Sequence, residues 1–367
     1  MEPKGALELV GLKKKDYKRT LVSLIETTMV EGASDLHLSV GYQPSIRVSG
    51  SLIPLVKMDV LTPEDTLGFL KELVLPKQFE TFVSDQEIDF SYTYKTATRF
   101  RGNASVQQGA VSIALRLIPS EIKSISELGL PPILETFANK EQGFFLVVGP
   151  VGQGKSTTLA AMVDLINATR SEHIVTIEDP IEYVYQQKQS IIDQREVGID
   201  TRDFKTALVS SFRQDVNVIL VGEMRDAETI ATAVTAAETG HLVLSTLHTN
   251  NAAQTIDRII DSFPGGQQDQ IRTQLAASLL GIFSQRLVPR IAGGLIPACE
   301  LLINNSAIAN LIRERRTHEL NTVIETSSDQ GMITMNRSLA DLVRKGEITV
   351  ENAYRHSINP KLLEGML

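Results

Sequence analysis

Cysteine is almost missing from this chain: Cys299 stands alone among 367 residues. That excludes an internal disulfide and any zinc site built from several thiolates, and it suits a reducing compartment, so a cytoplasmic setting is expected. Tryptophan is absent too, which by itself excludes nothing. Positive charge is in deficit, with 36 Lys and Arg against 44 Asp and Glu and a net charge of −8. Bulk electrostatics therefore favours neither nucleic acid nor an anionic membrane as the main partner. No apolar run approaches the roughly 18 residues needed to cross a bilayer. Lys13-Lys14-Lys15 is followed by a charged amphipathic segment instead of a continuous apolar stretch, which argues against a signal peptide. What remains is ordinary for a soluble protein with a sizeable core, at 42% hydrophobic and 22% charged residues. The length suggests two or three domains at roughly 150 residues each.

Residues 1–15 read as a polar lead-in. Leu21, Leu24, Ile25, Thr28 and Met29 recur at helical spacing over Asp16–Val30, and Gly32 can stop that helix. Leu36, Leu38 and Val40, then Ile46 and Val48, alternate with polar residues around a Gly41–Pro44 turn and predict two half-buried strands. Thr62-Pro63-Glu64-Asp65 is a helix start, with a hydroxyl cap, proline in the first turn and acids at the positive end of the dipole. Three further alternating segments follow, on Ile88–Tyr94, Arg99–Asn103 and Val111–Leu117. In these, Arg99, Arg101 and Arg116 fall on the polar sides. The expectation is a small α+β domain with an antiparallel sheet over 1–118. A hinge over 119–132 leads to a second domain over 133–367. There, nearly continuous apolar strands at Phe144–Val148, Ile174–Ile177, Val218–Val221 and Leu242–Leu244 alternate with helices. That is the pattern of an α/β, mostly parallel sheet covered on both faces. From Ile271 onward the pattern reads as mainly helical.

GPVGQGKST at Gly149–Thr157 satisfies G-x-x-x-x-G-K-[ST] and sits where that motif needs to be, between an apolar strand and a helix. Gly149, Gly152 and Gly154 let backbone N–H groups curl around a β-phosphate, and the helix N-terminus adds its dipole. Pro150, Val151 and Gln153 complete the loop, and Thr157 follows it. Lys155 supplies a point charge to the β/γ oxygens of ATP, and the Ser156 hydroxyl is suited to Mg²⁺. A plain glycine turn would not need the Lys-Ser pair. Ligands of such sheets gather beyond the C-terminal strand ends, and three other strands end in suitable chemistry. One runs into Glu178-Asp179, a second into Gly222-Glu223 and a third into Ser245–His248, with His241 just before it. Glu178, Asp179 and Glu223 can hold Mg²⁺ or its waters, and a carboxylate can polarise the attacking water. Glu223 is the first choice for that base and Glu178 the second. His241 and His248 can sense charge at the γ-phosphate.

At this point the chain resembles the secretion-type hexameric ATPases and, within them, the type IV pilus retraction (twitching motility, PilT-type) ATPases. The likeness runs from about Asp16 to Leu367. TIEDPIE at Thr176–Glu182 resembles the family's Asp box, VILVGEMRDAETI at Val218–Ile230 its Walker B segment, and TAAETGHLVLSTLHTNNAAQTIDRIID at Thr235–Asp261 its His box. GASDLHLS and IRVSG resemble its small N-terminal domain, and AIANLIRE at Ala307–Glu314 resembles a motif linked there to retraction. The resemblance implies a RecA-like P-loop ATPase domain behind a PAS-like α+β domain, and a homohexamer with its ATP sites between subunits. Arg99, Arg101 and Arg116 match arginines that reach a neighbour's phosphates. It also implies a motor seated peripherally at the inner membrane on a pilus platform protein, acting indirectly on pilin; the acidic charge gives no expectation of a nucleic-acid partner.

Departures from the family pattern are Val151 and Gln153 inside the loop, Val216 before the Walker B strand and Ala309 in AIANLIRE. Neither Val151 nor Gln153 is expected to need its side chain for phosphate binding. Pilus-extension and type II secretion ATPases share the motor core but usually carry an extra N-terminal domain and a four-cysteine zinc module, for which this sequence has no room. Retraction is the better reading. A DNA-translocating ATPase is disfavoured by the acidic charge and the lack of a basic-aromatic stripe. A non-hydrolysing ring subunit would not need the carboxylates and the lysine.

Overall fold

The computed structural model describes residues 16–48, 50–95, 98–118 and 121–367. The expected lead-in and Pro119, at the start of the expected hinge, lie outside them. The chain separates into two compact units, residues 1–120 and 121–367.

The first unit begins with α1 (Tyr17–Val30), whose first turn is capped by the Asp16 carboxylate accepting from the Arg19 N–H. It continues through β1 (Asp35–Leu38), β2 (Ser45–Val48), β3 (Ser51–Pro54), α2 (Pro63–Leu73), α3 (Pro76–Asp85), β4 (Glu87–Tyr94), β5 (Thr98–Gln107) and β6 (Ala110–Ile118). The Thr62 cap and Asp65 close a reciprocal capping box on α2, as the sequence motif predicts. The strands form one antiparallel sheet in the order β3-β2-β1-β6-β5-β4. Leu36, Phe100, Ile113 and Leu115 on its apolar face are buried with Leu21, Leu24 and Ile25 of α1 and Phe69 and Leu70 of α2. Strand β3 and helix α3 were not legible in the sequence. Every residue of β3 is exposed, so it carries no alternation.

The polar face of this sheet has a cross-strand row. Arg47 lies opposite Asp35, Asp35 opposite Arg116, Arg116 opposite Arg101, and Arg101 opposite Ser91. Asp35 takes a 2.9 Å ion pair from Arg116. Burial pushes the Asp35 carboxyl up, but the Ser34 hydroxyl and Arg116 outweigh it and hold the group below its ordinary value. The Arg99 guanidinium donates to Ser91 Oγ at 2.9 Å. All three arginines thus stand on the polar side, as the alternation requires.

The second unit runs α4 (Ile133–Ala138), β7 (Gly143–Val148), α5 (Lys155–Thr169), β8 (His173–Glu178), β9 (Ile191–Glu196), α6 (Phe204–Ser211), β10 (Val218–Val221), α7 (Ala227–Glu238), β11 (Leu242–Leu247), α8 (Ala252–Asp261) and α9 (Gly265–Ser278). It ends with β12 (Leu279–Pro289), β13 (Leu295–Ile303), α10 (Ser306–Arg313), α11 (Leu320–Thr326), α12 (Met335–Arg344), α13 (Val350–His356) and α14 (Pro360–Glu364). The sheet order is β13-β12-β7-β11-β10-β8-β9. All neighbours are parallel except β12 and β13.

Strands β7, β10 and β11 are buried at every residue, because helices cover both faces. Phe144, Leu146 and Val148 of β7 pack on one side with residues of α7, α8 and α9. Phe145 and Val147 pack on the other with Leu159, Met162 and Ile166 of α5. Ile125 and Leu130, inside the expected hinge, belong to this second layer beside Leu134 and Phe137.

The region after Ile271 corrects the helical expectation, since a β-hairpin, β12–β13, lies between α9 and α10. Its central residues are buried on both faces, so neither a two-residue nor a 3.6-residue period shows in the sequence.

Candidate active site

Parallel pairing sends the C-terminal ends of β7, β8, β10 and β11 to one edge of the sheet, and the predicted chemistry collects there. Gly149, Gly152 and Gly154 take φ of +148°, +76° and +78°, backbone that L side chains rarely adopt. A Cβ on Gly149 would also lie 2.5 Å from the Gln285 carbonyl oxygen. This glycine is therefore required twice, by conformation and by space. Helix α5 starts at Lys155, aiming its free N–H groups into the loop.

Lys155 is buried, and its Nζ donates to the carbonyl oxygens of Gly149 at 2.8 Å and Pro150 at 2.9 Å. Nζ is also 3.3 Å from His248 Nδ1, and His248 Nε2 is 3.4 Å from Glu223 Oε1. An ammonium can only donate. Nδ1 must therefore be the acceptor, and the Nε2–H points at Glu223, so the imidazole is neutral. Burial, and then the Lys155 charge, hold its pKa below the ordinary value. Burial also pulls the Lys155 ammonium down, against the attraction of Glu223 and Glu182.

Glu223 follows β10 at a turn pinned from both sides. Thr246 Oγ1 donates to the Gly222 carbonyl at 2.7 Å, and the Gly222 N–H donates to the Ile177 carbonyl at 2.8 Å. The second carboxylate oxygen of Glu223 accepts from Arg225 Nε at 3.0 Å and pairs with its Nη2 at 2.9 Å. The same guanidinium lies 3.9 Å from Asp179. Arg225 is a residue the motif reading passed over. Its signal was available, as an arginine two positions beyond the proposed base.

Glu178 behaves differently. It is buried at the tip of β8, and burial pushes its carboxyl up to about 7 even though Thr176, the Glu182 N–H and Gln194 donate to it. Asp179 is exposed beside it. Thr157 shares a 2.9 Å hydrogen bond with the Tyr183 hydroxyl, Ser156 is half-buried at the loop's mouth, and Val151 is 80% exposed.

Two expectations need correction. His241 is not at this edge. It precedes β11, and its carbonyl accepts from the N–H of Gly143 at the start of β7, so the length of a strand, roughly 20 Å, separates it from the phosphate loop of its own chain. Its Nδ1 faces the Ala236 carbonyl at 3.0 Å and its ring meets Phe212 edge-on. Gln153 is not a passive variation. Its side-chain oxygen accepts from the Leu287 N–H at 2.7 Å, and its carbonyl accepts from Gln285 Nε2 at 2.8 Å. Nothing local signals either contact, because Gln285 and Leu287 lie on β12, more than a hundred residues away.

The acids differ from a resident metal centre. Among the described residues, no three His, Cys, Asp or Glu side chains converge closely enough to hold a metal ion.

On the far side of β12, Glu300 is buried and pushed up to about 7 by that burial, against the Ala252 N–H and the charge of Arg286. A folded-state value above the ordinary 4.5 means that the folded protein holds this proton more tightly than the unfolded chain. Stability should then fall as pH rises from 4.5 through about 7, by roughly 3 kcal/mol. Glu300→Gln keeps the acceptor for Ala252 and removes the charge. Its melting temperature relative to the parent should climb between pH 5 and pH 8. An offset independent of pH would show that Glu300 does not titrate in this range and would sink the prediction.

The family model described as Type II/IV secretion system protein matches residues 13–366. The type IV pilus retraction ATPase PilT of Pseudomonas aeruginosa is 44% identical over 333 residues, covering 91% of this chain and 96% of that one. A twitching motility protein of Neisseria gonorrhoeae is 42% identical over 341 residues, covering 93% and 91%. The solved structure of the pilus retraction motor PilT with bound ADP aligns with a TM-score of 0.88 at 46% identity, covering 94% of this chain and 99% of that chain.

Proposed function

This chain belongs to the family of type II/IV secretion system proteins, and on that footing we propose that it is a motor ATPase of type IV pilus retraction. The observation that carries the ATPase reading is the contact chain Lys155–His248–Glu223 at the mouth of a glycine cradle. The retraction reading is supported by relatives named for pilus retraction and twitching that match this chain nearly end to end.

In this reading the loop N–H groups and α5 bind the β-phosphate of ATP. Lys155 exchanges its bonds to Gly149 and Pro150 for the β/γ oxygens. Glu223 takes a proton from the attacking water, with neutral His248 orienting it through its Nε2–H. Glu178 is the weaker candidate, because burial raises its carboxyl to about 7, leaving it only partly ionised at neutral pH, and its oxygens already accept from Thr176 and the Glu182 N–H. The donor set is hard oxygen: the Ser156 hydroxyl, with Glu178, Asp179 and Glu223 further out. It fits Mg²⁺ arriving with the nucleotide phosphates and keeping some of its waters. Bound there, the ion would supply charge neutralisation at the β/γ oxygens.

The working assembly is a homohexamer. Arg99, Arg101 and Arg116 of one subunit serve the nucleotide of the next, because guanidinium suits developing phosphate charge. Ile125 and Leu130, within the expected hinge, are buried in the core of the second unit. The motor works at the cytoplasmic face of the inner membrane on a pilus platform protein, and so indirectly on pilin. Among the described residues no helix is long and apolar enough to cross a membrane.

The test is a strain lacking this protein. Its cells should still display pili but should neither retract them nor twitch. Cells without pili would point to the assembly reading, and unchanged twitching would sink both.

A further inference from the structure

Strand β12 touches the nucleotide site along its whole upper end. The Ser284–Val148 register sets Gln285 beside the first residue of the phosphate loop. Gln285 is buried and hydrogen-bonded through both ends of its amide: its Oε1 accepts from Thr158 Oγ1 at 2.6 Å, and its Nε2 donates to the Gln153 carbonyl at 2.8 Å. Its own carbonyl closes against Gly149, and its Nε2 is 3.0 Å from where a Gly154 Cβ would be. One side chain with its peptide thus meets both ends of the loop and the first turn of α5. The Leu287 N–H adds the grip on Gln153 Oε1.

The opposite face of β12 does something separate. Ser284 Oγ donates to the Asn250 carbonyl at 2.9 Å, and its cross-strand partner Glu300 accepts from the Ala252 N–H at 2.8 Å. That pair clamps the segment just after His248.

We propose that Gln285 is the positioning residue of the phosphate loop, holding its glycine backbone in the phosphate-binding shape before nucleotide arrives. The inference rests on the nucleotide reading above. Glycine-rich backbone loses more conformational freedom than any other on ordering. Where a scaffold orders it in advance, that cost is not charged to binding. Gln285 does not reach the reacting atoms, so its contribution is the same for ADP, ATP and the transition state. Such uniform binding appears in KM and Kd and not in kcat. Losing one to two net hydrogen bonds corresponds to about tenfold.

The experiment measures Kd for MgADP by calorimetry and steady-state ATP hydrolysis on the full chain. Gln285→Leu keeps the volume and removes both bonds. It should raise Kd and KM about tenfold with kcat within about threefold. Thr158→Val removes the donor to Gln285 Oε1 at nearly constant volume; it should raise them about threefold, and it decides the matter if Gln285→Leu does not fold. Ser284→Ala, on the other face, should leave Kd within about twofold. Two results would overturn the assignment. One is Kd and KM unchanged in the loop-side variants. The other is Ser284→Ala weakening ADP as much as Gln285→Leu, which would mean a general loosening of β12. A parent protein that bound no MgADP would overturn the nucleotide reading instead.

Discussion

Lys155→Ala is expected to reduce ATP turnover at least a hundredfold and to abolish pilus retraction. The lysine is buried at the loop's centre, with its charge on the Gly149 and Pro150 carbonyls and His248. A phosphate entering the cradle brings several negative oxygens to that spot, and charge-assisted contacts in a dry site are worth several kcal/mol at the transition state. The substitution also frees His248 from its enforced tautomer, because nothing else at Nδ1 requires it to accept. Folding is a separate matter. The variant loses the internal donor to two loop carbonyls, so its melting temperature should be recorded beside its turnover. A well-folded Lys155→Ala protein that still hydrolysed ATP within threefold of the parent would remove the site. Lys155→Arg should rescue little, since a planar fork does not replace a compact ammonium in a cradle this small.

The second large effect concerns two residues in different units of the chain. Arg101→Ala alone and Glu223→Ala alone should each cost on the order of a hundredfold in turnover, as loss of a transition-state charge or of the base does. Mixed in equal amounts and assembled together, the two variants should regain activity. A subunit lacking Arg101 still offers Glu223, and one lacking Glu223 still offers Arg101. Random mixing around a ring therefore pairs the intact halves at about a quarter of the interfaces. If the arginine served its own subunit's nucleotide, no mixture would recover, because every site would carry one defect. Activity at every mixing ratio no higher than the sum of the separate variants would exclude the trans assignment. Arg116 is paired to Asp35, so its loss would also disturb the sheet.

Much of this was legible in the chain itself, for reasons that differ by element. The phosphate loop is a contiguous run whose function lies in its own backbone, so glycine spacing and the Lys-Ser pair were sufficient. The first unit's sheet has one wet face, and its alternation put Phe100 inward and Arg99 and Arg101 outward before any coordinates were needed. Strands β7, β10 and β11 announced themselves as short apolar runs. The hairpin β12–β13 did not, because burial on both faces erased the period that would have marked it. The place of His241 at the opposite edge is legible in the chain as well. It precedes its strand, and in a parallel sheet ligands gather where strands end.

The sequence alone determined which segments could bind phosphate and which residue types were available for the chemistry, because those properties are local to a few neighbouring residues. Only the tertiary structure decided which of them meet. Strand direction carried His248 to Lys155 and Glu223 and left His241 at the opposite edge. The β7–β12 register brought Gln285 and Leu287 onto Gln153, turning a residue that looked dispensable into an anchor. Burial raised the Glu178 carboxyl, whereas Glu223 lies against Arg225 and His248, a difference of surroundings that the sequence does not show. The physical reason is the same throughout. Contact, desolvation and hydrogen bonding depend on distance in space, and pairing between strands far apart in sequence creates distances that no local pattern encodes.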